Sequence, residues 1–98
     1  MSRLVHIVIA KFKPEVDEAT RQAACNQILA LKDKIPGVLS ASAGKTFTDR
    51  SQGFEWGWVF EFKTKEELPL YTNHPAHQEF LKNNKPLFAD LIALDYMC

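Results

Sequence analysis

Tyr71-Thr72-Asn73-His74-Pro75-Ala76-His77-Gln78-Glu79-Phe80 holds the residue types best suited to proton transfer in this 98-residue chain. Proline suits the first turn of a helix, where its missing N–H is not needed. The segment predicts a helix opening at Pro75, with His77 in its first turn and Tyr71 leading into it. His74 and His77 are three apart, so they share one helix face if the turn extends to both. A phenol and an imidazole converging on one pocket can move protons near neutral pH. The plainer alternative is a helix start where the histidines cap and the tyrosine packs. The triplet matches no general catalytic signature, so the residues alone leave both readings open.

The elements that must position this segment read as strand, helix, strand, strand, helices, strand. Leu4 to Lys13 is the first strand, apolar on both faces, as in a strand buried on both sides. A helix is predicted from Glu18 to Lys34, with Asp17 as N-cap and Val16, Ala23, Ala24, Ile28, Leu31 and Ile35 at core spacing. Pro36-Gly37 ends it. Val38 to Thr46 is the second strand. Phe54 to Phe62 is the third, with Phe54, Trp56, Trp58, Phe60 and Phe62 on one face. Thr64 and Glu67 form a capping-box pattern for a short helix that Pro69 disturbs. Pro75 to Asn83 is a better helix, Pro86 restarts the chain into a short turn, and Leu91 to Met97 is the last strand.

This order predicts a single α+β domain over residues 1–98: a ferredoxin-like four-stranded antiparallel sheet with helices on one face. Val5, Ile7 and Ile9 then point away from the helices, and Ile92, Leu94 and Tyr96 join them if Asp95 faces inward. So large an apolar patch exceeds what a soluble monomer usually exposes. Packing two copies sheet to sheet covers it and closes an α/β barrel, so a homodimer is expected.

Lysine and arginine number 12 and so do aspartate and glutamate, a zero formal charge that argues against a nucleic-acid partner. No stretch is long and apolar enough to span a membrane. The start of the chain lacks a signal peptide's apolar region, so the cytosol is the expected compartment. Cys25 and Cys98 have no metal or redox spacing and are expected as free thiols.

Leu4-Val5-His6-Ile7-Val8, Lys11-Phe12-Lys13, Ile35-Pro36-Gly37-Val38, Gly44, Tyr71 with His74-Pro75-Ala76-His77, and Asp95-Tyr96 together resemble the stress-responsive dimeric α/β-barrel (Dabb) family. The match runs nearly end to end. The resemblance implies a homodimer of ferredoxin-like subunits around a barrel. It does not by itself imply an activity, since many members are known as stress-induced or structural proteins. One branch, the plant polyketide cyclases, closes a linear polyketide by aldol condensation without a cofactor. Carried over, that branch implies His77 as the base, Asp95 as the carboxylate on the other His77 nitrogen, and Tyr71 as hydrogen-bond donor to a carbonyl. It also implies His6, Asn26, Trp56 and His74 as groups around a small hydrophobic carbonyl-bearing ligand. Asn26 stands where that branch has tyrosine and Trp56 where it has histidine, so the cavity is expected to differ in size or shape.

Each of these residues has a plainer reading. A His77–Asp95 pair can tie a helix to the last strand without catalysis. A lone histidine on an apolar strand face, as His6 is, is more often a satisfied core group. A metal site from His6, His74 and His77 lacks supporting carboxylate or cysteine spacing, and none is expected. The aromatic run of the third strand is foremost a core face, with a second use as a flat wall for a ring-bearing ligand. A non-catalytic stress-response or ligand-binding protein is therefore the alternative to a cyclase-like enzyme.

Overall fold

The computed structural model of the chain describes residues 2–98. Its elements are β1 (Leu4–Phe12), α1 (Glu18–Lys34), β2 (Val38–Lys45), β3 (Trp56–Phe62), α2 (Glu67–Thr72), α3 (Pro75–Asn84), a 3₁₀ turn (Lys85–Leu87) and β4 (Phe88–Met97). The four strands form one sheet in the order β2-β3-β1-β4, and every pair is antiparallel. This is the ferredoxin-like α+β layer that the sequence order predicts.

Helix α1 begins where Asp17 accepts a hydrogen bond from the Thr20 N–H at 2.8 Å. That bond satisfies one of the unpaired donors of a helix start. Glu18 in the first turn and Lys32 and Lys34 in the last complement the helix dipole. The helix buries Ala24, Cys25, Ile28 and Leu31. Ala23, expected in the core, is exposed. The 3.6-residue period turns the buried stripe onto Cys25 instead. Gly37 follows with φ +95, a conformation that favours glycine. A Cβ there would also lie 3.2 Å from the Glu67 side chain, so the stop of α1 doubles as a seat for the start of α2.

Helix α2 starts late, as Pro69 suggests. Its opening differs from the expected capping box: the Lys63 N–H, not Thr64's, donates to Glu67 Oε2, at 3.1 Å. Among the described residues no side chain caps its N-terminus. Strand β4 begins three residues before the expected Leu91, because Phe88 pairs with Phe12 after a register shift at Lys11/Phe12. β3 begins at Trp56 rather than Phe54. The Phe54 ring lies instead beneath the Lys11 ammonium, 4.7 Å from its centroid.

The strands sort their side chains by alternation. Leu4, Val8, Ala10 and Phe12 of β1 and Trp56, Trp58, Phe60 and Phe62 of β3 are buried toward the helices. Burying each such large side chain contributes roughly 1.5–3 kcal/mol. Val5, Ile7 and Ile9 point to the opposite, outer face, beside Val59 of β3 and Ile92, Leu94 and Tyr96 of β4. Ile92, Leu94 and Tyr96 are 48%, 58% and 45% exposed. The described chain thus carries an uncovered apolar sheet face, as the doubly apolar first strand predicts.

Candidate active site

Thr72 closes α2 and Pro75 opens α3, so two helix ends meet over the sheet. His74 supplies the N-cap of α3: its Nδ1 accepts from the Ala76 N–H at 3.0 Å. That bond fixes His74 as a structural cap, the plainer of its two readings. Pro75 follows in the first turn. The cap aims the next turn inward and sets the His77 ring against Tyr71, with ring centroids 4.5 Å apart.

The last carbonyls of a helix lack intrahelical partners and need other donors. The Thr72 carbonyl receives two: His77 Nδ1 at 3.0 Å and Gln78 Nε2 at 2.7 Å. A carbonyl oxygen can only accept, so Nδ1 of neutral His77 carries the proton. Its Nε2 keeps the lone pair. Burial pushes the His77 pKa below its ordinary 6.5, the Thr72 carbonyl pulls it back in part, and the positive charge of His6 adds to the lowering. His77 is therefore a neutral base with a fixed tautomer.

Tyr71 is 1% exposed, wedged among Phe60, Phe62, His6 and His77. Burial pushes its phenol pKa well above the ordinary tyrosine value, so it stays protonated and can donate. Its hydroxyl is buried without a hydrogen-bond partner among the described residues. A buried polar group left unpaired costs about 1–3 kcal/mol.

Asp95 is not on His77. Its Oδ1 lies 2.5 Å from Nδ1 of His6, across the β1–β4 ladder. The register explains this. His6 and Asp95 are directly paired residues on the inner face, so their side chains stand together. The expected His77–Asp95 bond is thereby corrected: the backbone of Thr72 holds His77, and the carboxylate holds His6. His6 is satisfied, as its plainer reading expects, and forms half of a carboxylate–imidazole pair.

These groups face a cavity of about 260 Å³ between sheet and helices. His6, Val8 and Trp58 form part of its floor, with Leu91 and Ala93 toward the β4 edge. Tyr71, His77 and Phe80 form the roof, and Ile28 closes the α1 side. His6, Tyr71 and His77 are thus brought together. Asn26 is not: it is exposed on α1, where it accepts from Gln22 Nε2 at 3.2 Å. His74 does not line the cavity. Trp56 shares the inner face but not the cavity; it packs edge-on against Phe12, with centroids 6.3 Å apart. Trp58, two residues on, takes the place expected of it. Strand alternation assigns both tryptophans to one face and cannot say which lies beneath α3. A larger hollow of about 550 Å³, by Ser2, Lys63, Lys65 and Met97, brings together no such set of proton-transfer groups.

The fold and the cavity define a class: a ferredoxin-like α+β domain with a small aromatic-walled pocket carrying imidazole and phenol groups. The domain signature described as the stress responsive A/B barrel domain matches residues 4–98, and the chain belongs to that family. It is similar to the olivetolic acid cyclase of Cannabis sativa, 27% identical over 93 residues, covering 93% of this chain and 92% of that protein. Among solved structures it is similar to the hydroxynitrile lyase from Passiflora edulis, with a TM-score of 0.89 at 19% identity, covering 98% of this chain and 93% of that one. It is also similar to a dimeric ferredoxin-like protein of unknown function from Thermobifida fusca, with a TM-score of 0.86 at 18% identity, covering 99% and 92%.

Proposed function

We propose that this chain forms a homodimeric, cofactor-free, cyclase-like enzyme that makes a carbon–carbon bond within a small hydrophobic carbonyl compound. His77 Nε2 removes a proton beside a carbonyl, and the Tyr71 hydroxyl donates to the oxygen that gains charge. The observation that carries the reading is the Tyr71 hydroxyl. It is a buried donor without an acceptor among the described residues, in a ring packed against a tautomer-fixed base. A ligand carbonyl would satisfy it, and an enolate oxygen would satisfy it better. The kinship with an olivetolic acid cyclase supports the reaction type. Dimerisation is supported by the outer apolar face that exposes Ile92, Leu94 and Tyr96 and by the dimeric relative of the same fold. No helix among the described residues is long and apolar enough to cross a membrane.

A second, ligand-binding reading draws on the Thr72 carbonyl. Two side chains of α3 converge on it, so His77 also fastens one helix to another. The test is a panel of linear tri- and tetraketide acids or thioesters, with cyclised products followed by mass spectrometry. Product beyond that in buffer, lost in His77→Ala with the fold intact, is the expected result. A wild type that binds the compounds but leaves the buffer product mixture unchanged would refute the enzyme and favour the binding module.

A further inference from the structure

The Thr72 carbonyl stands at the joint between α2 and α3, and no backbone N–H among the described residues serves it. The neighbouring donors are engaged elsewhere. The Asn73 N–H goes to the Pro69 carbonyl and the His74 N–H to that of Tyr71. Pro75 has no N–H to give. The Ala76 N–H is taken by His74 Nδ1. Both lone pairs of the Thr72 oxygen are therefore left to side chains. Two consecutive residues of α3 take them: His77 Nδ1 lies 3.0 Å from the oxygen and Gln78 Nε2 2.7 Å. The amide bond is the shorter, and it comes from outside the site. Gln78 is exposed and does not line the cavity, whereas Thr72 and His77 do.

We propose that Gln78 is a positioning residue: it pins the Thr72 carbonyl where His77 Nδ1 donates to it, and so keeps the lone pair of the ring on Nε2. Its weight in turnover rests on the enzyme reading above; its hold on the ring does not. The argument is a comparison of tautomers. A neutral imidazole free in water favours the proton on Nε2, and that form cannot act as a base there. The folded chain must favour the other form. The Thr72 oxygen does so, because it can accept from Nδ1–H and offers nothing to a bare Nδ1. Helix α2 holds this oxygen poorly by itself, having six residues with Pro69 among them. Without Gln78, the peptide would be free to turn its oxygen to water, since Thr72 is exposed. The bond from Gln78 ties the oxygen to α3, the helix that carries His77, so ring and acceptor move as one. Consecutive helix residues diverge by about 100°, which suits two donors to the two lone pairs of one oxygen.

The titratable groups facing the His77 ring are Tyr71 on α2 and His6 on β1, and Asp95 of β4 is engaged by His6. Among the described residues none of these accepts from His77 Nδ1, so the Thr72 oxygen alone selects the tautomer.

The experiment uses the full chain with nitrogen-15-labelled histidine, about one pH unit above the ordinary histidine pKa of about 6.5, where the ring is neutral. NMR reports which nitrogen of His77 carries the proton. Methylene hydrogen–deuterium exchange in a small β-diketone gives the rate. Wild type is compared with Gln78→Met, which keeps the side-chain length without the donor, and with Gln78→Lys, which restores a donor of similar reach. Methionine and lysine are both good helix formers, so α3 is retained. Wild type should hold the Nδ1–H form alone. In Gln78→Met the ring should move toward the Nε2–H form. Its kcat for exchange should fall roughly tenfold, the scale seen when the partner orienting a metal-bound histidine is lost. KM should stay unchanged, because Gln78 does not line the cavity. Gln78→Lys should restore both ring and rate. A ring unmoved in Gln78→Met would overturn the proposal, as would a lysine variant that behaves like the methionine one. A moved ring with unchanged exchange would overturn the role in turnover. A wild type without exchange refutes the enzyme reading, and the ring signals then decide the hold of Gln78 by themselves.

Discussion

Beneath the helices, the inner face of the sheet has a closed half and an open half. Phe60 and Phe62 of β3 are fully covered, and Trp56 is 4% exposed. On β4 the inward-facing Ala93 and Asp95 remain exposed. The closed half is a core of interlocked rings, and the open half carries Asp95, the two imidazoles and the cavity. The boundary runs through Tyr71. Its ring packs on Phe60 and Phe62 at centroid distances of 5.3 and 5.2 Å, while its hydroxyl finds no partner among the described residues. The proposed chemistry therefore sits where helical cover gives out, against a wall of packed rings.

Substitutions on each side should separate these roles. Phe60→Ala in the closed half should cost about 3–5 kcal/mol of stability, as large ring-to-alanine changes in a core do. Denaturant melts should show this, and a loss under 1 kcal/mol would refute the closed-half description. Tyr71→Phe at the boundary should slow turnover about 10²–10³-fold, the typical effect of losing a positioned oxyanion donor. Stability should change little or rise, because an unpaired buried hydroxyl is removed. Equal turnover by the two proteins would detach the hydroxyl from the chemistry.

The outer face gives a third test. Ile7→Glu buries two charges near the twofold of the proposed dimer and should yield monomer or aggregate. A wild type that sediments as a stable monomer at micromolar concentration would contradict the packing of two sheets.

His77 sets the pH behaviour of the open half. Its folded pKa lies below the unfolded value near 6.5, so the unfolded chain binds more protons between the two. His77's contribution is then least favourable at low pH. It rises as pH climbs through the folded pKa toward 6.5, and is flat above. The acid limb of turnover should likewise fall below pH 6.5. An acid limb above 6.5 would contradict the buried neutral base. The smallest effect is expected at Asn26→Ala: within about 0.5 kcal/mol in stability, as for ordinary surface changes, and unchanged turnover.

Much of the closed half was legible in the sequence. Asp17 and Pro36-Gly37 bracket α1 at Glu18 and Lys34, and alternation put the β3 aromatics on one face. The doubly apolar β1 also announced an outer face in need of cover. The open half was legible only in its residue types. That Asp95 stands beside His6 depends on β1–β4 register, which alternation leaves free by steps of two. That His77 is held by a carbonyl depends on where α2 ends, and Pro69 blurs that end. A signal existed there, because the last carbonyls of any short helix need donors and His77 follows within a turn. Asn26 was placed by likeness to a tyrosine position, but its short side chain pairs with Gln22 at the surface.

The central claim is that Tyr71 and His77 ionise a carbon acid in the open half. Methylene hydrogen–deuterium exchange in a small β-diketone, followed by proton NMR, tests it without requiring the natural substrate. Wild-type protein should accelerate exchange well beyond buffer, and folded His77→Ala should return it to the buffer rate. Acceleration that survives in His77→Ala, or none in the wild type, would contradict the account.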